Sequence, residues 1–141
     1  MVILAVDLGH VRTGLAVCDA MEMMAFPVGV INEKQDTLIL QKIAAAAKEK
    51  SAQLIVMGHP KNMDGSEGES AQRAQNLAVK LEQLSGIKTV LWDERCSTKA
   101  AHTFLNQSNT RGEKRKAAVD ALSAVIILES YLSYRRNGGN A

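Results

Sequence analysis

Four acidic residues lie at positions where they can act together on a phosphodiester. Asp7 ends the first apolar run, Asp93 and Glu94 follow the last predicted strand, and Asp120 lies among apolar residues near the C terminus. Converging carboxylates repel one another unless cations lie between them, and Mg²⁺ and Mn²⁺ prefer oxygen ligands of this kind. One or two such ions can activate water and stabilise the leaving oxygen during phosphodiester hydrolysis. The pattern therefore predicts a metal-dependent nuclease.

The predicted metal ligands are Asp7, Glu94 and Asp120, and Asp93 completes the predicted catalytic set as a close second to Glu94. Neighbouring strands lie about 4.8 Å apart. If the last strand lies two places from the first, its acidic residue is close to the largest distance at which it and Asp7 can bind the same metal ion. Glu94 is longer and lies further along the chain, which favours it over Asp93. Each position also has an ordinary structural interpretation. Asp7 could cap a turn, the Asp93–Glu94 pair could belong to a surface ion-pair cluster, and Asp120 could face solvent on its helix.

The segment from Asp7 to Gly14 is a tight turn between two apolar runs, and it contains Gly9 and Arg12. Glycine lets the backbone approach a phosphate closely. Such a turn suits both metal-dependent cleavage and nucleotide-phosphate binding. An ATPase of the actin or hexokinase kind needs two lobes of this type, whereas the 141 residues supply one. The nuclease is therefore the favoured interpretation.

Basic and amide side chains occur where a nucleic-acid backbone could dock. A basic run at the start of the last helix opposes the helix macrodipole, which is reasonable if a phosphate supplies the missing anion; a solvated basic loop is the alternative. The predicted substrate-binding residues are Arg12, Lys61, Asn62, Arg95, Lys114, Arg115 and Lys116. His59 is either a proton carrier in the reaction or a loop histidine with no functional role, and we favour the second interpretation.

Length and composition restrict the class of protein. A chain of 141 residues with 46% hydrophobic residues predicts one globular domain, at residues 1–136, with a flexible tail at 137–141. The net charge of +2 neither demands nor excludes a polyanionic partner, and 4% aromatic residues argue against a base-stacking platform. No apolar run is long enough to span a membrane, and two distant cysteines fit a reducing compartment. We expect a cytoplasmic protein with no membrane partner.

The apolar pattern predicts an α/β fold with a mixed five-stranded sheet. Predicted strands are residues 2–7, 14–18, 26–30, 53–58 and 88–92; predicted helices are 37–50, 70–85, 97–107 and 116–134. Three closely spaced strands must be antiparallel, while helices between the later strands imply parallel pairing. This is the outline of a ribonuclease-H-like fold with helices on both faces.

Several side chains receive local predictions within this outline. Asp36 and Ser70 are predicted N-caps of the first two helices. Leu77, Leu81 and Leu84 are predicted to lie on one face of the second helix. Three methionines, Met21, Met23 and Met24, are expected to serve turn and core packing in preference to a binding surface.

The chain resembles the YqgF family, also described as Holliday-junction-resolvase-like and as pre-16S rRNA nucleases. The matching blocks lie in order along nearly the whole chain: residues 7–9 with Arg12 and Gly14; Gly58 with Pro60 and 62–65; 93–95 with Ser97, Thr98 and Ala101; and 119–121 leading into 126–131. His59 and Cys96 depart from the family, which more often has leucine and an aliphatic residue there. Neither position is a proposed metal ligand.

The resemblance implies a ribonuclease-H-like fold, a bacterial cytoplasmic setting and divalent-metal nuclease chemistry at Asp7, the Asp93–Glu94 pair and Asp120. It implies maturation of the 5′ end of 16S rRNA, so structured precursor rRNA and ribosomal particles are expected partners. Branched DNA, cut by a Holliday junction resolvase, is the alternative substrate. A non-catalytic RNA-binding or ribosome-assembly factor is a further alternative. The sequence leaves open whether the protein is a monomer or a homodimer.

Overall fold

The computed structural model describes residues 1–59, 68–93 and 112–138, and for 112–120 it describes the helical backbone alone. The described elements, in chain order, are β1 (Ile3–Asp7), β2 (Arg12–Cys18), β3 (Ala25–Asn32), α1 (Asp36–Glu49), β4 (Leu54–His59), α2 (Glu69–Ser85), β5 (Lys88–Asp93) and α3 (Gly112–Arg136). The predicted helix at 97–107 lies outside these residues. The predicted domain at 1–136 and the tail at 137–141 stay predictions.

The five strands form one mixed sheet in the order β3-β2-β1-β4-β5. The first three strands pair antiparallel, as short connections require. By contrast, β1, β4 and β5 run parallel, because α1 and α2 provide the crossovers between them. The carboxyl ends of these three strands therefore lie at one edge of the sheet, which we call the carboxyl edge. The predicted topology and fold class are confirmed.

Both faces of the sheet are covered by helices, and the side-chain alternation of β1 shows how. Leu4 and Val6 pack in a core with α1 and α2, while Ile3 and Ala5 pack in a second core with α3. All four side chains are fully buried. A strand buried on both faces reads as a continuous apolar run, which is why the first segment is so uniformly hydrophobic.

Ion pairs at the edge opposite the carboxyl edge fix the direction of α3. The Arg135 Nε lies 2.6 Å from Glu22 Oε1, and the Met1 amino group lies 3.0 Å from Glu22 Oε2. The C-terminal end of α3 is therefore held beside the start of β1. It follows that α3 runs antiparallel to β1, with its N-terminal half directed toward the carboxyl edge.

Two predicted helix caps are wrong. Asp36 is the first residue of α1, where Gln35 is the N-cap, and Ser70 lies inside the first turn of α2, where Gly68 is the N-cap. Neither N-cap residue makes a side-chain capping hydrogen bond. Asp36 instead accepts hydrogen bonds from Arg73, at 2.8 Å and 3.2 Å, while its negative charge still suits the helix N-terminus.

Some apolar residues are also more exposed than predicted. Of the three leucines predicted on one face of α2, Leu77 and Leu81 are buried, whereas Leu84 is 51% exposed because it lies in the last turn of the helix, beyond the core. The methionines of the β2–β3 turn occupy the turn as predicted but do not pack into the core. Their exposed fractions are 77% for Met21, 65% for Met23 and 60% for Met24.

Candidate active site

A rigid turn presents Asp7 at the carboxyl edge. Asp7 is the last residue of β1 and pairs with Gly14 of β2, so β1 and β2 are joined by only a few residues. A Cβ atom at Gly9 would lie 1.9 Å from the Arg12 carbonyl oxygen, so the turn accepts no side chain at this position. The Gly9 amide also donates to the hydroxyl of Thr13, a fully buried residue, at 3.5 Å.

Arg73 of α2 holds this turn from outside. Its Nη1 donates to the Gly9 carbonyl oxygen at 3.0 Å, and its Nη2 donates to Asp36 Oδ1 at 2.8 Å. One guanidinium therefore joins the turn, α1 and α2. Sequence reasoning missed Arg73, because its partners lie 64 and 37 residues away and no local pattern indicates them.

Two predicted site residues share a face of the sheet. Alternation along β1 places Asp7 on the same side as Ile3 and Ala5, which pack against α3. Alternation along β2 places Arg12 on the same side as Ala16, in the same core. The structure therefore brings a carboxylate and a guanidinium to the α3 face of the carboxyl edge. In this arrangement the carboxylate can bind a metal ion and the guanidinium can bind a phosphate.

Asp93 lies at the same edge but on the opposite face. It is the last residue of β5 and is in register with His59, the last residue of β4. Both continue the side-chain alternation of Met57 and Leu91, which pack on the α1 and α2 side. Asp93 is therefore separated from Asp7 by the sheet itself, which disfavours it as a shared metal ligand.

The expectation that His59 is a loop residue is wrong. His59 ends β4, is only 6% exposed and lies with its Nε2 atom 3.3 Å from Gln75 Nε2 of α2. A buried imidazole requires polar partners, and α2 supplies one of them. The sequence placed the strand end one residue too early, because a histidine followed by proline resembles the start of a loop.

The remaining predicted site residues are only partly covered by the structure. The backbone of Asp120, Lys114, Arg115 and Lys116 lies in α3, which begins four residues earlier than predicted. Among the described residues, no group of three acidic, histidine or cysteine side chains forms a metal site. The other predicted residues, Glu94, Arg95, Lys61 and Asn62, lie outside the described ranges. The residue types of the three predicted ligands, the carboxylates Asp7, Glu94 and Asp120, suit a hard divalent cation.

Solved structures identify the class of fold. The structure of Thermus thermophilus RuvC is similar with a TM-score of 0.66, covering 98% of this chain and 97% of that protein at 12% identity. The fowlpox virus resolvase in complex with Holliday junction DNA gives a TM-score of 0.59, covering 96% and 99% at 10% identity. The chain therefore has a ribonuclease-H-like fold of the kind found in RuvC.

Sequence comparison identifies the family. The model of the RuvX family, described as Holliday junction resolvase, matches residues 1–134, and the chain belongs to this family. A protein of Shouchella clausii is 40% identical over 131 residues, which cover 92% of both chains. A protein of Agathobacter rectalis is 34% identical over 140 residues, covering 97% and 98%. Both are named "Putative pre-16S rRNA nuclease", so the resemblance stated from the sequence is confirmed.

Proposed function

We propose that this protein is a metal-dependent nuclease that matures the 5′ end of pre-16S rRNA. The observation that carries the proposal is the rigid Asp7 turn at the carboxyl edge, with Arg12 on the same face. Nuclease activity is further supported by membership of the RuvX family and by the names of its relatives. Asp7, Glu94 and Asp120 are the proposed ligands of one or two Mg²⁺ or Mn²⁺ ions.

Backbone dimensions support a position for Asp120 close to Asp7. Arg135 and Met1 both contact Glu22, so α3 and β1 have a common reference point at the edge opposite the carboxyl edge. Residue 120 lies fifteen residues before Arg135, or roughly 22 Å along a helix. Asp7 lies six residues after Met1, or roughly 20 Å along a strand. The two positions therefore reach the same level of the sheet, on the face that α3 covers.

Side-chain alternation supports Glu94 over Asp93 as the third ligand. Asp93 belongs to the face covered by α1 and α2, together with His59, whereas Asp7 belongs to the face covered by α3. A ligand shared with Asp7 has to come from the α3 face. Glu94 follows Asp93 directly in the sequence and has the longer side chain, so we propose Glu94 in this role.

The side chains of this protein have distinct tasks in the proposed reaction. Asp7, Glu94 and Asp120 would hold the metal ions, which would supply an activated water and stabilise charge on the leaving oxygen. Asp7 provides a fixed carboxylate, because the Gly9 turn and Arg73 leave the end of β1 little freedom. Arg12, on the same face as Asp7, is proposed to bind the phosphate of the substrate. Lys61, Asn62, Arg95, Lys114, Arg115 and Lys116 are proposed to hold the flanking backbone.

Precursor rRNA is the proposed substrate, and the proposed location of the reaction is the cytoplasm, on ribosomal particles. No helix within residues 1–59, 68–93 and 112–138 is long and apolar enough to cross a membrane. Resolution of branched DNA is the second candidate, because the family model is described as Holliday junction resolvase. The solved complex of Thermus thermophilus RuvC with a Holliday junction substrate, which is similar in fold with a TM-score of 0.63, supports this second candidate.

Cleavage of both substrates in parallel tests the proposal. A precursor 16S rRNA fragment and a four-way DNA junction are incubated with the protein in Mn²⁺ or in EDTA. We expect metal-dependent cleavage of the RNA, reduced at least about a hundredfold in Asp7→Asn and in Asp120→Asn, because each loses a direct metal ligand. Glu49→Gln, which removes an exposed carboxylate of α1, is the matched control and should retain full activity.

The other outcomes discriminate between the alternatives. Paired symmetric nicks in the junction, with the RNA intact, would establish the resolvase instead. Cleavage that persists in EDTA would disprove metal dependence. Tight RNA binding without cleavage, unchanged in Asp7→Asn, would identify a binding factor for ribosome assembly.

A further inference from the structure

Two residues of α2 contact different strand ends at the carboxyl edge. Ala74 is 1% exposed and packs in the core between α2 and the sheet, so Arg73 and Gln75 lie on either side of it. Arg73 binds the turn that follows β1, through the Gly9 carbonyl oxygen. The Gln75 Nε2 atom lies 3.3 Å from Nε2 of His59, the last residue of β4. The first turns of α2 therefore hold the ends of two of the three parallel strands.

The contact with Gln75 assigns the hydrogen-bonding roles of the His59 ring. The amide nitrogen of a glutamine is a donor only, so Nε2 of His59 accepts and the proton of the neutral imidazole lies on Nδ1. His59 is only 6% exposed. A buried N–H group requires an acceptor within the protein, because the cost of leaving it without one is high.

Asp93 of β5 lies beside His59 in the sheet. The two residues are in register on adjacent parallel strands, and both continue the alternation that faces α1 and α2. Adjacent strands lie about 4.8 Å apart, so side chains in register on one face can reach each other. A carboxylate that accepts from the ring N–H is a common way to hold a histidine in one tautomer and one orientation.

We propose that His59 is a positioning residue for the metal site, with Nε2 accepting from Gln75 and Nδ1 donating to the carboxylate of Asp93. This inference rests on the proposed function. The three side chains tie the end of β5 to β4 and to α2. Asp93 is joined directly to Glu94, the proposed ligand, so a fixed Asp93 limits the positions that the ligand can take.

The side of the sheet on which His59 lies favours positioning over a direct part in the reaction. His59 is buried on the face covered by α1 and α2, whereas Asp7 and Arg12 belong to the face covered by α3. The sheet therefore separates the imidazole from the phosphate that Arg12 is proposed to bind. A side chain in that position can affect cleavage only through the residues that it holds.

The position of the ring proton tests the hydrogen bonds without any metal. Long-range ¹H–¹⁵N correlation spectra of the full, metal-free chain should show the Nδ1–H tautomer of His59, with His59→Leu used to assign the signals. Asp93→Ala should shift the Nδ1 resonance. Glu49→Ala, which removes an exposed carboxylate of α1, should leave it unchanged. A proton on Nε2, or a resonance that Asp93→Ala does not move, would overturn the proposal.

Binding of Mn²⁺ alone tests the positioning role. Electron paramagnetic resonance of free Mn²⁺, titrated into the metal-free chain, gives the dissociation constant. His59→Leu keeps an apolar side chain but neither hydrogen bond, so it should raise this constant about tenfold. His59→Asn places an amide donor near the Nδ1 position and should keep most of the wild-type affinity. Equal weakening in the two variants would contradict a role for the Nδ1 donor.

A double-mutant cycle connects His59 to Asp93. Asp93→Ala should weaken Mn²⁺ binding as much as His59→Leu, and the double variant should be no weaker than either single one. Gln75→Leu should also raise the dissociation constant, whereas Gln83→Leu, the same change at an exposed position of α2, should not. Additive effects of the His59 and Asp93 variants would overturn the proposal. Circular dichroism checks that each variant is folded.

Asp7→Asn separates this inference from the function on which it rests. If Asp7→Asn loses Mn²⁺ binding while His59→Leu binds normally, the positioning role of His59 is disproved and the metal site stands. If Asp7→Asn binds Mn²⁺ as the wild type does, the proposed function fails and the positioning role fails with it. The ring-proton spectra decide the hydrogen bond between His59 and Asp93 in either case.

Discussion

The two edges of the sheet differ in what their charged side chains bind. At the edge opposite the carboxyl edge, Glu22 pairs with Arg135 and with the Met1 amino group. The Glu22 carboxylate therefore binds another side chain and the N-terminal amino group. At the carboxyl edge, Arg73 binds the backbone carbonyl oxygen of Gly9 as well as Asp36. One set of contacts secures the end of a helix, while the other secures the shape of a turn.

This difference separates stability from function. A contact that holds a helix end contributes to the free energy of unfolding and leaves the carboxyl edge unchanged. A contact that holds the Asp7 turn also sets the position of a proposed metal ligand, so its loss should reduce activity more than stability. Variants at the two edges can therefore separate effects on the free energy of unfolding from effects on activity.

Gly9→Ala should have the largest effect. Its Cβ would lie 1.9 Å from the Arg12 carbonyl oxygen, so the turn has to open by more than 1 Å near Asp7. A displacement of that size is expected to cost roughly a hundredfold in cleavage rate. Initial rates on the precursor RNA measure this, with circular dichroism as the folding check. Retained activity in Gly9→Ala would show that the exact turn geometry is unimportant.

Gly86→Ala is the matched control for that variant. Gly86 ends α2 with a left-handed φ of 73°, and a Cβ there has nothing within 4 Å. The substitution should lower the free energy of unfolding by about 1 kcal/mol, through backbone conformation alone. Its cleavage rate should equal that of the wild type.

Arg73→Met should have an intermediate effect. It removes the hydrogen bonds to Gly9 and Asp36 while keeping much of the apolar stem of the side chain, so we expect about tenfold lower activity. The free energy of unfolding should fall by about 1–2 kcal/mol in denaturant titration. Asp36→Asn weakens the ion pair but leaves the bond to Gly9, and it should keep nearly full activity. Equal activity losses in both variants would contradict a specific role for the turn contact.

Glu22→Gln should have the smallest effect, confined to stability. The hydrogen bond from Arg135 is the largest of the contacts that lower the pKa of Glu22 below its ordinary value. A carboxylate with a lowered folded pKa stabilises the fold above the ordinary pKa of about 4.3, and this contribution is lost as pH falls through the folded pKa. The variant should therefore be less stable by about 1 kcal/mol at pH 7.

Denaturant titration at several pH values checks this sign. The difference between wild type and Glu22→Gln should shrink progressively as the pH falls below about 4. Cleavage of RNA at neutral pH should not change. A loss of activity would show that the two edges of the sheet are coupled through α3.

Local pattern predicted much of the fold and part of the site. The apolar runs predicted all five strands to within two residues at each end, and short connections required the first three to be antiparallel. Asp7 and Asp93 were correctly assigned to strand ends. The predictions for both caps, for the exposure of the methionines and for the strand end at His59 were wrong, because residue type alone sets neither the first residue of a helix nor the extent to which a turn or a strand end packs against other elements.

Sequence patterns were sufficient to predict the order of the described strands and helices, the acidic residues at strand ends and the family. These follow from periodicity, turn residues and motif spacing, which are local along the chain. The folded chain was needed to show that Asp7 and Asp93 belong to opposite faces, that Arg73 holds the Gly9 turn and that α3 points back toward the carboxyl edge. These relations join distant segments, so they depend on register and packing that no local pattern contains.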